Sequence, residues 1–126
     1  MTSLAKAVYD ILRRRVGSDD PRISYAELAR QLRDVAEEFD HLNHRSRELY
    51  QALCEVADAC VRLGLPSLAA LVVRADSRVP GDAYYAGMPE ELSRGEKIAL
   101  WREELEAVKQ AKYPSRVRWT CNRATS

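Results

Sequence analysis

RELYQALCEVADACVRLG (residues 47–64) is the stretch on which the fold turns. Leu49, Leu53, Val56, Cys60 and Leu63 recur at alternating steps of four and three, the spacing of one helical face. Gly64 ends the helix and Pro66 follows closely, a usual stop signal. A stripe this long needs a partner to bury it. Working back from it, Ser24 reads as an N-cap with Glu27 three places later, a capping-box pattern. Leu28, Leu32, Val35, Phe39 and Leu42 then form a second stripe, which predicts a helix of about 16 residues. HLNHRS (41–46) separates the two. Further back, Leu4, Val8, Ile11 and Leu12 mark a first helix from Ser3 to Val16. Ser3 is its expected cap, and GSDDPR (17–22) is the loop after it.

Forward of residue 64 the pattern changes. Leu68 to Val73 is a short apolar run bounded by Pro66 and by the polar segment RADSR (74–78), and it reads as a buried strand. Val79-Pro80-Gly81-Asp82 has the composition of a type II turn. Ala83 to Ala86, with Tyr84 and Tyr85, is then the expected returning strand of a hairpin. Pro89 suits the first turn of a last helix, with Ile98, Trp101, Leu105 and Val108 as its buried face. The expected class is mainly α with a small β-hairpin, in the order helix, helix, helix, hairpin, helix.

A chain of 126 residues supports one domain, expected over 1–108, followed by a C-terminal tail over 109–126. Hydrophobic residues make up 46% and charged residues 31%, a globular mixture that excludes a disordered or collagen-like chain. The longest apolar run, Leu68 to Val73, is far too short to span a bilayer. Lys6 and Asp10 interrupt the apolar pattern near Met1, so no signal peptide is expected and a cytoplasmic location is. The tail carries five cations (Lys109, Lys112, Arg116, Arg118 and Arg123) and no acid, which leaves residues 1–108 at −4 within a total of +1. Tyr113 and Trp119 are interleaved with these charges, an arrangement suited to phosphates and stacked bases or to a solvated end.

Catalytic signals are sparse. Cys54, Cys60 and Cys121 are odd in number and lack CxxC spacing, which argues against a disulfide framework and a zinc site. His41 and His44 could share a metal, but no third ligand is evident. The acidic pairs Asp19-Asp20, Glu37-Glu38, Glu90-Glu91 and Glu103-Glu104 read as solvated faces, and no glycine-rich phosphate loop occurs. The expectation is a non-enzymatic protein with no catalytic residue, no metal and no cofactor.

ISYAELARQL (23–32), RELYQAL (47–53), GLPSLAALVV (64–73) and PGDAYY (80–85) follow one another in an order that resembles the C-terminal DNA-binding domain of the alkylguanine-DNA alkyltransferases and alkyltransferase-like proteins. The resemblance covers about residues 23–108 and implies a winged-helix fold. By position, Tyr25 matches the family tyrosine that contacts the phosphate at the target nucleotide, and Arg47 matches the arginine finger. Tyr50 stands where the family prefers glycine. Ala69 and Ala70 stand where the nucleophilic cysteine and its histidine should be. A methyl group accepts no alkyl group, so the resemblance implies DNA binding or lesion sensing without alkyl transfer.

Two functions are therefore expected. The first is DNA binding, with Arg45 and Arg47 at the start of the third helix, Arg74 and Arg78 on a wing, Tyr25 on a phosphate, and Arg116, Arg118 and Trp119 adding affinity from the tail. The second is a small partner-binding role, as an immunity protein, inhibitor or regulatory subunit, with Tyr84, Tyr85 and Trp119 as exposed anchors.

Overall fold

The computed structural model describes residues 2–86 and 88–115. Helix α1 (Ser3–Arg15) is capped by Thr2, whose hydroxyl accepts from the Ala5 amide, so the cap lies one residue before the expected Ser3. Thr2 also donates through its amide and hydroxyl to the Glu55 carboxylate, which fastens the start of α1 to the third helix. Strand β1 (Ile23–Ser24) leads directly into α2 (Tyr25–Val35). Ser24 is both the last strand residue and the N-cap, accepting from the Glu27 amide at 3.0 Å. The reciprocal half of the expected capping box does not form there. The Glu27 carboxylate instead accepts from Arg30 and Gln31.

Helix α2 is shorter than the apolar stripe predicts. Ala36 adopts extended dihedrals and ends it, and a 3-10 turn (Glu37–Phe39) carries Phe39 back to the core. Arg33 donates to the Leu42 carbonyl at 2.7 Å and folds the following loop beneath the helix. Phe39 and Leu42 are buried as expected, but on a turn and a loop.

Helix α3 (Arg47–Arg62) forms where the sequence reading places it and buries Leu49, Leu53, Val56 and Cys60, whereas Leu63, the last member of the expected stripe, is its C-cap and is exposed. It packs on α1 and on the segment after residue 67. Gly64 has φ +71°, a conformation that favours glycine. Its amide donates to the Val61 carbonyl and the Leu65 amide to the Cys60 carbonyl, the paired bonds of a Schellman motif.

The class is mainly α with a small two-stranded β element, but the expected hairpin is not the source of the strands. Leu68–Leu71 winds as a 3-10 helix capped by the Ser67 hydroxyl. Only β2 (Val72–Val73) is extended, and it pairs in parallel with β1, Ile23 opposite Val72 and Ser24 opposite Val73. The expected returning strand is a single helical turn, α4 (Asp82–Tyr85). Pro80 supplies no amide to a ladder, and the Gly81 amide is taken by a tyrosine hydroxyl, so an antiparallel return finds few donors.

Helix α5 (Arg94–Gln110) begins later than Pro89. Ser93 and Glu96 form the full reciprocal capping box, while Pro89 closes a preceding turn through its carbonyl. Trp101 is buried, and its indole N–H donates to the Ala70 carbonyl at 2.8 Å. The packed body runs past residue 108. Lys109 lies in α5, the Tyr113 hydroxyl donates to the Pro66 carbonyl at 2.6 Å, and the Tyr9 hydroxyl donates to the Pro114 carbonyl at 2.8 Å. Burial pushes the Tyr113 phenol above its ordinary range. Among the described residues no helix is long and apolar enough to cross a membrane.

Candidate functional site

A groove of about 660 Å³ opens where α2, the N-terminal end of α3 and the loop after β2 converge. Tyr25 is the first residue of α2 and Tyr50 lies in the first turn of α3. Their rings meet at 5.2 Å between centroids, tilted by 37°. Tyr25 is buried to all but 7% and its hydroxyl accepts from the Gly81 amide at 3.0 Å. Its own proton is not used in that bond. Burial raises the Tyr25 pKa, so the phenol stays protonated and remains a donor at neutral pH. The Tyr50 hydroxyl donates to the His44 carbonyl at 3.0 Å and holds the loop before α3 in place.

That loop presents Arg45. The Asn43 side chain accepts from the Arg45 amide at 2.8 Å, and Ser46 accepts from the Asn43 amide rather than capping α3 with its side chain. The Arg45 guanidinium has no ion pair among the described residues. Arg74 faces the same groove and grips Asp76 through two hydrogen bonds, at 3.2 and 3.1 Å. Those bonds hold the Asp76 carboxyl below its ordinary range. Asp82, from α4, completes the acidic part of the lining. The groove is thus aromatic on its floor and mixed in charge at its edge.

Of the expected site residues, Tyr25, Arg45 and Arg74 come together here. Arg47 is exposed at the start of α3 and does not line the groove, although it has no ion pair among the described residues. Arg78 is turned away. It pairs with Asp20 in the loop after α1 at 3.3 Å, so a cationic wing carrying both Arg74 and Arg78 does not form. The loop bearing them is closed on itself by the Arg74 amide on the Val79 carbonyl and the Arg78 amide on the Arg74 carbonyl, with Arg78 at φ +60°. Hydrogen bonds from Arg22 hold the Asp20 carboxyl far below its ordinary range. Arg116, Arg118 and Trp119 lie outside the described residues.

The expected protein-binding anchors also change. Tyr85 is buried to all but 6% and Tyr84 is half-buried, their rings in edge contact, so neither is an exposed anchor. Leaving the buried Tyr85 hydroxyl without a hydrogen bond costs about 1–3 kcal/mol, and it has no partner among the described residues. Exposed apolar surface lies instead at Val61, 74% exposed, and Leu63, at the far end of α3.

His41 pairs with Glu48 at 2.8 Å while His44 faces the groove, so the two histidines serve different surroundings. Among the described residues no group of three His, Cys, Asp or Glu side chains gathers to hold a metal. Cys60 is buried, and burial raises its thiol pKa away from the reactive range. Sequence reasoning missed Gly81 and Asp82 as parts of the site. The capping residue and the aromatic at 25 were visible signals, but their meeting with residue 81 is a tertiary event.

No protein-family model matches this chain, and neither curated proteins nor solved structures yield a match.

Proposed function

We propose that this chain is a non-enzymatic DNA-binding protein that engages the phosphate backbone through the groove at the N-terminal end of α3. The observation that carries this reading is the convergence of Tyr25, Arg45 and Arg74 on one surface. A protonated phenol and two guanidiniums are donors suited to phosphate oxygens. Arg45 is unpaired, and Arg74 can exchange the exposed Asp76 for a phosphate. Arg47 lies beside the groove in sequence and extends the contact along the strand. The outer face of α3 carries Glu48 and Asp58 as well as Arg47 and Arg62, so the docking is by the helix tip rather than along its length.

The test is a duplex DNA titration at two salt concentrations with the intact chain, Arg45→Ala and Arg47→Ala. Affinity should fall steeply between about 50 and 200 mM salt, with a shallower slope for each variant. An affinity that ignores salt, or slopes identical in all three proteins, would overturn the reading.

A second reading, a protein partner bound at the other end of α3, is favoured by the exposure of Val61 and Leu63. Co-purification of a partner that is lost in Val61→Asp, with no DNA shift, would select it.

A further inference from the structure

We propose, on the phosphate-binding reading of the groove, that Asp76 is a built-in competitor for the phosphate, a carboxylate that a ligand has to displace before Arg74 is free to hold it. Arg74 donates through Nε to one Asp76 oxygen at 3.2 Å and through Nη2 to the other at 3.1 Å. A guanidinium takes two phosphate oxygens with the same fork. One face of Arg74 therefore cannot serve both. Arg74 lies near enough to the Tyr25 phenol to act on it electrostatically, so the donor that Asp76 withholds belongs to the cluster that faces the ligand.

The loop keeps the competitor in place. The Arg74 amide donates to the Val79 carbonyl at 2.8 Å and the Arg78 amide to the Arg74 carbonyl at 2.9 Å, while the Arg78 side chain is tied to Asp20. The Ser77 amide donates to the Asp76 carboxylate at 2.7 Å. Asp76 thus sits on a closed turn, two residues from Arg74, and returns to it when a ligand leaves. Both side chains are more than half exposed, so water screens the pair and an incoming anion can open it. Arg45 lines the same groove and has no ion pair among the described residues. The two guanidiniums are therefore unequal. Arg45 is open to a first phosphate contact, and Arg74 joins when Asp76 leaves.

The test measures duplex affinity by fluorescence anisotropy for the intact chain, Asp76→Asn, Asp82→Asn, Arg74→Ala and the double variant Arg74→Ala/Asp76→Asn. In parallel, the Arg74 Nε–H signal is followed by NMR as inorganic tripolyphosphate is added to the intact chain and to Asp76→Asn. Asp82→Asn removes the same charge from the same groove, but Asp82 forms no ion pair among the described residues, so it measures the general effect of one acid fewer. Asp76→Asn keeps a side-chain oxygen for the Ser77 amide, so the loop should close as in the parent. Asp76→Asn should tighten duplex binding about threefold, and Asp82→Asn should tighten it less. The gain from Asp76→Asn should shrink to that of Asp82→Asn once Arg74 is removed. Tripolyphosphate should shift the Arg74 signal at lower concentration in Asp76→Asn than in the parent. A gain of equal size with and without Arg74, or no gain although the parent binds duplex, overturns the competitor and leaves the phosphate reading standing. Duplex binding absent from every protein, with tripolyphosphate still moving Arg74 more readily in Asp76→Asn, keeps the competitor and overturns DNA as the ligand. Neither probe acting on either protein overturns both.

Discussion

The Gly81 amide donates to the Tyr25 hydroxyl at 3.0 Å, joining the turn before α4 to the first residue of α2. A Cβ at Gly81 would stand 3.3 Å from that hydroxyl, so the approach depends on glycine as well as on the phenol. Tyr25→Phe strands the amide and should cost about 1 kcal/mol of stability. Gly81→Ala should also destabilise, by crowding the ring. Urea denaturation of both variants checks this. A Tyr25→Phe protein as stable as the parent would show that the bond contributes nothing.

Arg45 and Arg78 make an internal comparison. Arg45 is unpaired beside the groove, whereas Arg78 is committed to Asp20. Arg45→Ala should weaken duplex binding and reduce the salt slope by about one. Arg78→Ala should leave binding nearly unchanged. Fluorescence anisotropy with a labelled duplex separates the two, and equal losses would contradict the placement of Arg78.

Gly64→Ala isolates a backbone effect. Nothing lies within 4 Å of a Cβ built there, so the cost comes from φ +71° alone. The expected loss is about 1 kcal/mol, read from the shift of the thermal midpoint. Trp101→Phe should cost more, about 2 kcal/mol, because it empties part of the core and leaves the Ala70 carbonyl without its indole donor.

Alkaline pH should unfold the protein through its tyrosines. Burial pushes the Tyr9 phenol from its ordinary 10.0 up to about 12, and Tyr84 and Tyr113 shift in the same direction for the same reason. A raised pKa in the folded state means that the unfolded chain ionises first. The stability gained by keeping Tyr9 neutral is whole below pH 10.0 and is lost as the pH rises from there towards about 12. Urea midpoints across that window should fall, and Tyr9→Phe should fall less steeply.

The helices were legible because their signals are local. The stripe from Leu49 to Cys60 and the Gly64 stop need no tertiary information. The end of α2 was hidden because Phe39 and Leu42 keep the apolar spacing across the extended Ala36. The run at 68–73 was ambiguous in principle. Six apolar residues fit a strand or a turn of helix, and the parallel partner of Val72 is Ile23, far back in the chain and unmarked by any pattern. In the candidate site, Tyr25 and the arginines drew attention through residue type and family resemblance. The contribution of Gly81 and Asp82, and the diversion of Arg78 to Asp20, depend on how distant loops meet.

The two phenols near the end of the packed body act as a latch. Tyr113 reaches the stretch after α3 and Tyr9 holds the next residue, Pro114, so the chain just beyond α5 is buckled both to α1 and to the segment that follows α3. A shortened gene ending after Gln110, the natural place to trim a tail judged by charge alone, would unfasten both clasps and uncover the apolar floor beneath them. Trimming should therefore begin only beyond Pro114.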